Sequence, residues 1–250
     1  MKREEFMVEV CANGVESCLA AQAGGADRVE LCAGIPEGGT TPSYGEIKVA
    51  RRVLTTTRLH VIIRPRGGDF LYTDLEVERM AADIAVCRDL GVDGVVFGCL
   101  KADGTFDMEK NRYLMACSKG MSVTCHRAFD RAVNPEQALE AVIDLGFDRI
   151  LTSGQQPKAV QGMDLLAKLN RQAAGRIILM AGSGVTEHNI RDIREATGLN
   201  EFHFSGRESV PSAMQYVNPN LYMGRPGAND AALDYTTGRR VAATIAELLD

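Results

Sequence analysis

The stretch LGVDGVVF at residues 90–97 joins the end of a helix-like segment to the start of an apolar strand. Two further stretches share its form, GGADRVEL at residues 24–31 and LGFDRILT at residues 145–152. Each places Gly, one other residue and Asp directly before a strand. Glycine suits the left-handed residue that ends a helix, and aspartate suits a short turn into the next strand. The recurrence predicts one helix–turn–strand unit that is used repeatedly along the chain.

Short apolar runs alternate with segments in which apolar residues recur every three or four positions. The predicted strands, in chain order, are FMVEVC (6–11), RVELC (28–32), LHVIIRP (59–65), GVVFG (94–98), SVTCHR (122–127), RILTSG (149–154), IILMAG (177–182) and EFHFSG (201–206). Strands that alternate with helices pair in parallel, and eight evenly spaced units favour closure into a barrel. We therefore predict the α/β class, as a (β/α)8 TIM-type barrel in a single domain over residues 1–250. An open doubly wound sheet is the alternative.

The segment 206–238, which follows the eighth strand, has no clear hydrophobic period. It is long for a barrel loop, and long loops without a period often act as lids or interfaces, or simply wrap the surface irregularly. We expect irregular structure in it.

The composition excludes several classes of protein. With 28 basic against 33 acidic residues and a net charge of −5, the chain lacks the basic excess of a non-specific nucleic-acid binder. Its apolar runs are too short to span a bilayer, and MKREEFMVEV at residues 1–10 does not resemble a signal peptide. The seven cysteines include no Cys-x-x-Cys pair. We therefore expect a cytoplasmic protein with reduced thiols, and no zinc ribbon.

The alternation of side chains along a strand predicts which residues face the barrel interior. Where apolar residues face the surrounding helices, the polar residues between them face inward, towards the C-terminal mouth that holds the active sites of this fold. The inward set is Glu9, Cys11, Glu30, Cys32, Arg64, His126, His203 and Ser205. Charged groups there are costly unless paired, so this set predicts either a functional site or a buried salt-bridge network around Arg64.

The ends of several strands carry features typical of anion sites. IRPRGGDF at residues 63–70 places Arg64 and Arg66 beside two glycines, and MAGSGV at residues 180–185 places Gly182 and Gly184 before a helix. The loops after the seventh and eighth strands commonly hold phosphate in this fold. We take Arg64, Arg66, Gly182, Gly184, His203 and Ser205 as candidate anion-binding residues, although the glycines could simply form tight turns.

Two cysteines occupy matching ends of neighbouring predicted strands. Cys11 and Cys32 could share one soft ion, because adjacent strands lie about 4.8 Å apart and thiolates select Cu(I) or zinc. The alternative is that both are small buried hydrophobic residues, which is the most frequent role of cysteine. We expect that packing role for Cys87, Cys99, Cys117 and Cys125.

Several stretches of the chain resemble the CutC family, often called copper homeostasis proteins. They are EVCANGVES, GGADRVELCAGIPEGGTTPS, IRPRGGDFLYTDLEVERM, DGVVFG, CHRAFD, RILTSG and MAGSGV, which occur in order over about residues 6–225. The resemblance implies a TIM-type barrel, a cytoplasmic location, a link to copper tolerance and a tendency to self-associate. The copper-binding role proposed in the family falls on Cys11 and Cys32. The family's usual TFHRAFD reads TCHRAFD here, which supports a packing role for Cys125.

Three hypotheses follow. In the first, the protein binds Cu(I) through Cys11 and Cys32. In the second, it is an enzyme that acts on a small anionic or phosphorylated metabolite, with Glu9, Glu30 and His126 as acid–base candidates. No lysine lies in a predicted strand, so a Schiff-base mechanism is disfavoured. A variant places a hard divalent metal on Glu9, Glu30, His126 and His203, although Arg64 would repel a cation.

In the third hypothesis the role is one of interaction, and the segment 206–238 mediates assembly into a homo-oligomer. Nothing in the composition points to a nucleic-acid or membrane partner.

Overall fold

The computed structural model describes residues 2–216, 218, 220–221 and 231–249. Eight parallel strands close into a barrel in which each strand pairs with the next and β8 pairs with β1. The barrel strands are β1 (Met7–Ala12), β2 (Arg28–Leu31), β3 (Arg58–Ile62), β4 (Gly94–Phe97), β5 (Ser122–Cys125), β6 (Arg149–Thr152), β7 (Ile178–Gly182) and β8 (Glu201–Phe204). The predicted (β/α)8 barrel is confirmed, and the open sheet is wrong.

The described residues also contain eight α-helices that surround the barrel. They are α1 (Val15–Ala23), α2 (Tyr44–Val53), α3 (Asp74–Asp89), α4 (Met108–Cys117), α5 (Pro135–Leu145), α6 (Met163–Ala173), α7 (Ile190–Thr197) and α8 (Gly238–Ala246). The hydrophobic core lies between the outer faces of the strands and the helices, and Cys87, Cys99 and Cys125 are fully buried in it. No helix among the described residues has the length and apolar character needed to cross a membrane.

The repeated Gly-x-Asp unit takes the predicted conformation at all three places. Gly25, Gly91 and Gly146 have φ values of 89°, 70° and 82°, in the left-handed region that glycine tolerates best. The aspartates that follow accept hydrogen bonds from a backbone N–H of the preceding strand. The pairs are Asp27 with Val8 at 2.8 Å, Asp93 with Leu59 at 2.8 Å and Asp148 with Val123 at 2.7 Å. We call these three contacts the aspartate clamps.

The segment 206–238 contains more regular structure than its sequence predicts. β9 (Arg207–Pro211) and β10 (Ala232–Thr236) form a two-stranded antiparallel sheet, and α8 begins at Gly238. Strand pairing gives these residues backbone hydrogen bonds that no hydrophobic period signals. Residues 217, 219 and 222–230 of the segment lie outside the described residues.

The barrel interior leaves no room for a side chain at Gly94 on β4. A Cβ atom there would lie 2.5 Å from the imidazole of His60, which is buried on β3 beside it. We predict that Gly94→Ala lowers the free energy of unfolding by about 1–3 kcal/mol, because the ring or the backbone must shift. Urea denaturation measures the loss.

Gly45 provides the matched control for this substitution. It is exposed near the start of α2, and only Ser43 Oγ lies within 4 Å of an added Cβ, at 3.8 Å. Gly45→Ala should leave stability unchanged or raise it by up to about 1 kcal/mol, since alanine favours helix. Equal effects of the two substitutions would contradict the steric explanation.

Candidate functional site at the mouth of the barrel

An ion-pair network closes the barrel below its mouth. The Arg28 guanidinium pairs with Glu9 through Nε and with Glu201 through a terminal nitrogen, the latter at 2.7 Å. Arg149 Nε reaches the same Glu201 oxygen at 2.9 Å. Arg28 and Glu9 are both almost completely buried. The predicted network therefore exists, but it is centred on Arg28 and not on Arg64.

Glu9 lies within this network, and it does not line the cavity above. Burial by itself raises the pKa of a carboxyl group, but Arg28 and His203 outweigh it and hold the pKa of Glu9 well below its usual range. Its second oxygen bonds His203 Nδ1 at 2.7 Å. Glu9 therefore does not reach the mouth with Arg64 and His126, as its place in the inward set had predicted, because strand stagger places it level with Arg28.

His203 connects the network to the cavity. Burial disfavours its protonation, but hydrogen bonds to Cys11 and Glu9, together with the charge of Glu30, raise the pKa of His203 to about 10. Its Nε2 atom lies 3.7 Å from Glu30 Oε2. The ring therefore carries a positive charge at neutral pH, and it presents that charge to the mouth.

A cavity of about 410 Å³ opens at the C-terminal ends of the strands. Most of the predicted site residues line it: Cys11, Glu30, Cys32, Arg64, His126, Gly184, His203 and Ser205. The apolar part of the lining includes Ile62, Phe70 and Leu151. A concave and largely apolar pocket with a few convergent polar groups is the usual form of a small-ligand site.

Two of the candidate anion-binding residues lie elsewhere. Arg66 points away from the cavity lining and pairs with Glu76 at 2.6 Å and Asp69 at 2.9 Å. Gly182 is also outside the lining, and a Cβ there would overlap Leu151 Cδ1. Both positions therefore serve loop structure and packing.

The two predicted thiols meet at the mouth. Cys11 Sγ lies 4.0 Å from Cys32 Sγ, and Arg207 donates to Cys11 Sγ at 3.1 Å. The contact with the Cys32 thiol lowers the pKa of Cys11 against the effect of burial, and His203 and Arg207 lower it further. The same thiol contact and burial raise the pKa of Cys32. The two shifts are opposite in direction, so Cys11 loses its proton more readily than Cys32.

Two groups of side chains have donor atoms close enough together to hold a metal ion. The first contains Cys11, Glu30 and Cys32, and the second contains Glu9, Glu30 and His203, with all donor atoms within 4.8 Å of one another. Glu9 and His203 already bond each other, and Arg28 beside Glu9 repels a cation. The thiol group is therefore the better metal site. His126 belongs to neither group.

Burial also acts on Glu30. It raises the pKa of the carboxyl group to about 8, although the His203 charge opposes this. Glu30 Oε1 is buried and has no hydrogen-bond partner. Glu30 is thus a carboxyl group at the mouth with one oxygen free to contact a ligand.

Sequence reasoning missed four ionisable residues of the barrel interior. Arg28, His60, Arg149 and Glu201 share the inward parity of Glu30, Arg64, Leu151 and His203 on the same strands. The alternation that marks them is present in the sequence, but it lies at the starts of the strands, whereas active sites in this fold lie at the C-terminal ends. Arg207 was missed for another reason, because it lies on β9 in the segment that has no period.

Comparisons with known proteins agree with one another. The CutC family model matches residues 6–208. A CutC family protein from Bacteroides thetaiotaomicron is 61% identical over 246 residues, which cover 98% of each chain, and one from Chromobacterium violaceum is 51% identical over 244 residues, again 98% of each. The crystal structure of the putative copper homeostasis protein CutC from Streptococcus agalactiae aligns with a TM-score of 0.77 and 33% identity, covering 80% of this chain and 98% of that one.

A more distant structure shares the fold alone. Thiamine phosphate pyrophosphorylase from Pyrococcus furiosus aligns over 99% of both chains with a TM-score of 0.61, at 15% identity.

The Arg28 network predicts a large effect of one substitution. Arg28→Met leaves Glu9 buried without its cation, and it should lower the free energy of unfolding by about 3–5 kcal/mol. Lys168→Met is the control, because Lys168 pairs with Glu136 on the exposed surface. That change should cost less than about 1 kcal/mol. Urea denaturation measures both losses. Equal losses of unfolding free energy in the two variants would show that the buried network stabilises the fold no more than an exposed ion pair does.

The buried histidines predict an acid-dependent stability. Burial lowers the pKa of His60 to about 3 and, together with Arg64, does the same for His126. In the unfolded chain a histidine has a pKa of about 6.5. Between these values the two histidines bind up to two more protons in the unfolded state, whereas Glu30, with its raised pKa, binds up to one more in the folded state, so stability falls as the pH is lowered below about 6.5. His203 adds no slope there, because its raised pKa makes its contribution constant below about 6.5.

Unfolding free energies between neutral pH and about pH 5 test this expectation. His60→Gln should reduce the slope by up to about 1.4 kcal/mol per pH unit. The exposed His188 provides the control, since His188→Gln should leave the slope unchanged. A slope that is the same in all three proteins would contradict the assignment.

Proposed function

The chain belongs to the CutC family, and we propose that it binds Cu(I) at the mouth of its barrel through Cys11 and Cys32. The observation that carries the proposal is the separation of 4.0 Å between the two sulfur atoms. A zinc–thiolate bond is about 2.3 Å long, and by that scale one ion can contact both sulfurs. Thiolates favour a soft ion such as Cu(I) over Mg²⁺ or Ca²⁺.

The charges around the thiols suit an ion that is bound and released. Arg207 and His203 favour the thiolate form of Cys11, which is the form that binds metal. The raised pKa of Cys32 favours its protonated form, and a thiol gives up its proton when it binds metal, so metal binding and proton release are coupled. The unpartnered Glu30 Oε1 belongs to the same donor group and can serve as a third ligand.

The number of donors argues against a structural zinc site. Structural zinc sites use four ligands, whereas the thiol group of the described residues offers three. The similar protein from Streptococcus agalactiae is described as a putative copper homeostasis protein. We treat copper as the cargo of the site and assign it no catalytic step.

The proposal includes two expectations about the setting. A Cu(I) site of reduced thiols suits the cytoplasm, and the described cysteines are all free. Self-association through the segment 206–238 also remains a prediction, and the exposed side chains of Met214, Tyr216 and Leu221 in it support the idea. Light scattering of the full chain and of a variant that lacks the segment would test it.

Substitution of the thiols tests the proposed copper site. We expect Cys11→Ser and Cys32→Ser each to weaken Cu(I) binding by more than the roughly 10–100-fold that is typical of lost outer-shell partners. The measurement is an anaerobic titration of the reduced protein against a competing Cu(I) chelator.

Cys117→Ser is the matched control, because Cys117 is a half-buried free thiol at the end of α4. It should bind Cu(I) as tightly as the unmodified protein. If the Cys11→Ser/Cys32→Ser double variant also binds as tightly as the unmodified protein, the thiols are not the site.

A further inference from the structure

Arg64 is a buried cation without an anion. Its side chain is 5% exposed, and its two terminal nitrogens donate to the backbone carbonyls of Glu37, Gly39 and Gly68 at 2.7–2.9 Å. These carbonyls orient the guanidinium but do not cancel its charge. No carboxylate of the described residues forms an ion pair with Arg64, and its Nε atom has no hydrogen-bond partner.

The other arginines of the cavity lining have partners, and Arg207, whose Nε atom also lacks one among the described residues, donates through a terminal nitrogen to Cys11 Sγ at 3.1 Å. Arg127 pairs with Asp130 at 2.7 Å, and Arg240 pairs with Glu187 at 2.8 Å. Asp69, whose pKa Arg64 helps to lower, is exposed and pairs with Arg66. A buried charge is costly unless it is paired. The structure therefore lacks one anion beside Arg64.

His126 places a hydrogen-bond donor beside Arg64. The Ala128 backbone N–H donates to His126 Nδ1 at 3.3 Å, so the neutral ring carries its proton on Nε2. This Nε2 atom is buried and has no partner. His126 is 3% exposed, and its ring is neutral at physiological pH. It therefore presents an N–H group and cannot act as a base through that nitrogen.

Phe70 joins these two residues. Its ring centroid lies 4.8 Å from that of His126 and 5.0 Å from Arg64 Cζ. Phe70 is half-buried on the loop after β3 and, with Ile62 and Leu151, forms an apolar part of the cavity lining. The unpartnered donors thus adjoin an apolar surface.

We propose that the Arg64–His126–Phe70 side of the cavity binds a small organic acid, whose carboxylate accepts hydrogen bonds from Arg64 and His126 and whose apolar body packs on Phe70, Ile62 and Leu151. The Phe70 ring turns aside to admit the carboxylate, because it packs against both donor residues. This site goes beyond copper binding and uses neither thiol.

The donor set selects a carboxylate over other groups. Two unpartnered N–H groups match the two oxygens of one carboxylate, and the charge-assisted bond to Arg64 supplies the missing anion. A phosphate group has three terminal oxygens, one more than the Arg64 Nε and His126 Nε2 donors can satisfy, and the unpartnered Tyr72 hydroxyl near Arg64 lies outside the cavity lining. A neutral amide would leave the charge of Arg64 uncompensated.

Isothermal titration calorimetry of the full chain with three probes tests the proposal. The probes are phenylacetate, phenylacetamide and phenyl phosphate, in an amine buffer free of copper and of other carboxylates. We expect phenylacetate to bind at least about tenfold more tightly than either of the others. Equal binding of phenylacetamide, or tighter binding of phenyl phosphate, would overturn the carboxylate assignment, and the absence of binding by all three would overturn the site.

A pair of variants at His126 separates the hydrogen bond from folding. His126→Leu removes the N–H donor and should weaken phenylacetate binding about tenfold or more. His126→Gln keeps an N–H donor and should bind nearly as tightly as the unmodified protein. Equal affinity of the Leu and Gln variants would overturn the role of His126.

Arg66→Met serves as the matched control for Arg64→Met. Both arginines come from the same loop, but Arg66 lies outside the cavity lining. Arg64→Met should abolish phenylacetate binding, and Arg66→Met should leave it unchanged. If Arg64→Met fails to fold, the His126 pair still decides the question. The acid titrations use no copper and the copper titrations use no acid, so failure of either proposal is seen separately.

Discussion

The ion pair between Arg28 and Glu9 determines the charges of the groups at the mouth of the barrel. It holds a carboxylate ionised where burial would otherwise neutralise it. That carboxylate bonds His203 Nδ1, which directs the other ring nitrogen towards Glu30 and the mouth. His203 in turn lowers the pKa of Cys11 and opposes the rise in the pKa of Glu30. The reactivity of the thiol pair thus depends on a salt bridge that lies outside the cavity lining.

The sequence predicted the barrel well because its local signals agree with its architecture. The glycines before β2, β4 and β6 are left-handed as expected, and each predicted strand overlaps an observed one. Most predicted strands extend one to three residues too far at their C-terminal ends. There the chain leaves the hydrogen-bonded barrel while side chains such as Arg64 and His126 still contact the cavity. Hydrophobic alternation continues past the last paired residue, so it cannot locate the strand end.

The site was harder to predict because alternation gives the face of a residue and not its depth. The words VEVC and RVELC suggest that Glu9 and Glu30 lie level, yet the register pairs Glu9 with Arg28 and Cys11 with Glu30. This two-residue offset reflects the stagger of barrel strands. It puts Glu9 in the ion-pair network around Arg28 and Glu30 at the mouth. The offset also separates Glu9 from Arg64. The Arg64 guanidinium therefore bonds the backbone carbonyls of the loops and no carboxylate of the described residues. Depth depends on the closure of the whole barrel and has no local signature.

The aspartate clamps show that the eightfold barrel is assembled from pairs. They join β1 to the turn before β2, β3 to the turn before β4, and β5 to the turn before β6. At the fourth place Gly198 and Asn200 hold the positions of Gly and Asp before β8, and the Asn200 carbonyl accepts from Met7 on β1 just as the three aspartate carbonyls accept from the strand after their own. The modular unit of the chain is therefore a βαβα quarter, and the last quarter differs in having asparagine where the other three have aspartate. Chimaeras and circular permutants of the chain that keep whole quarters together preserve all three aspartate clamps. A chain break between a strand and the aspartate that bonds it divides one quarter in two.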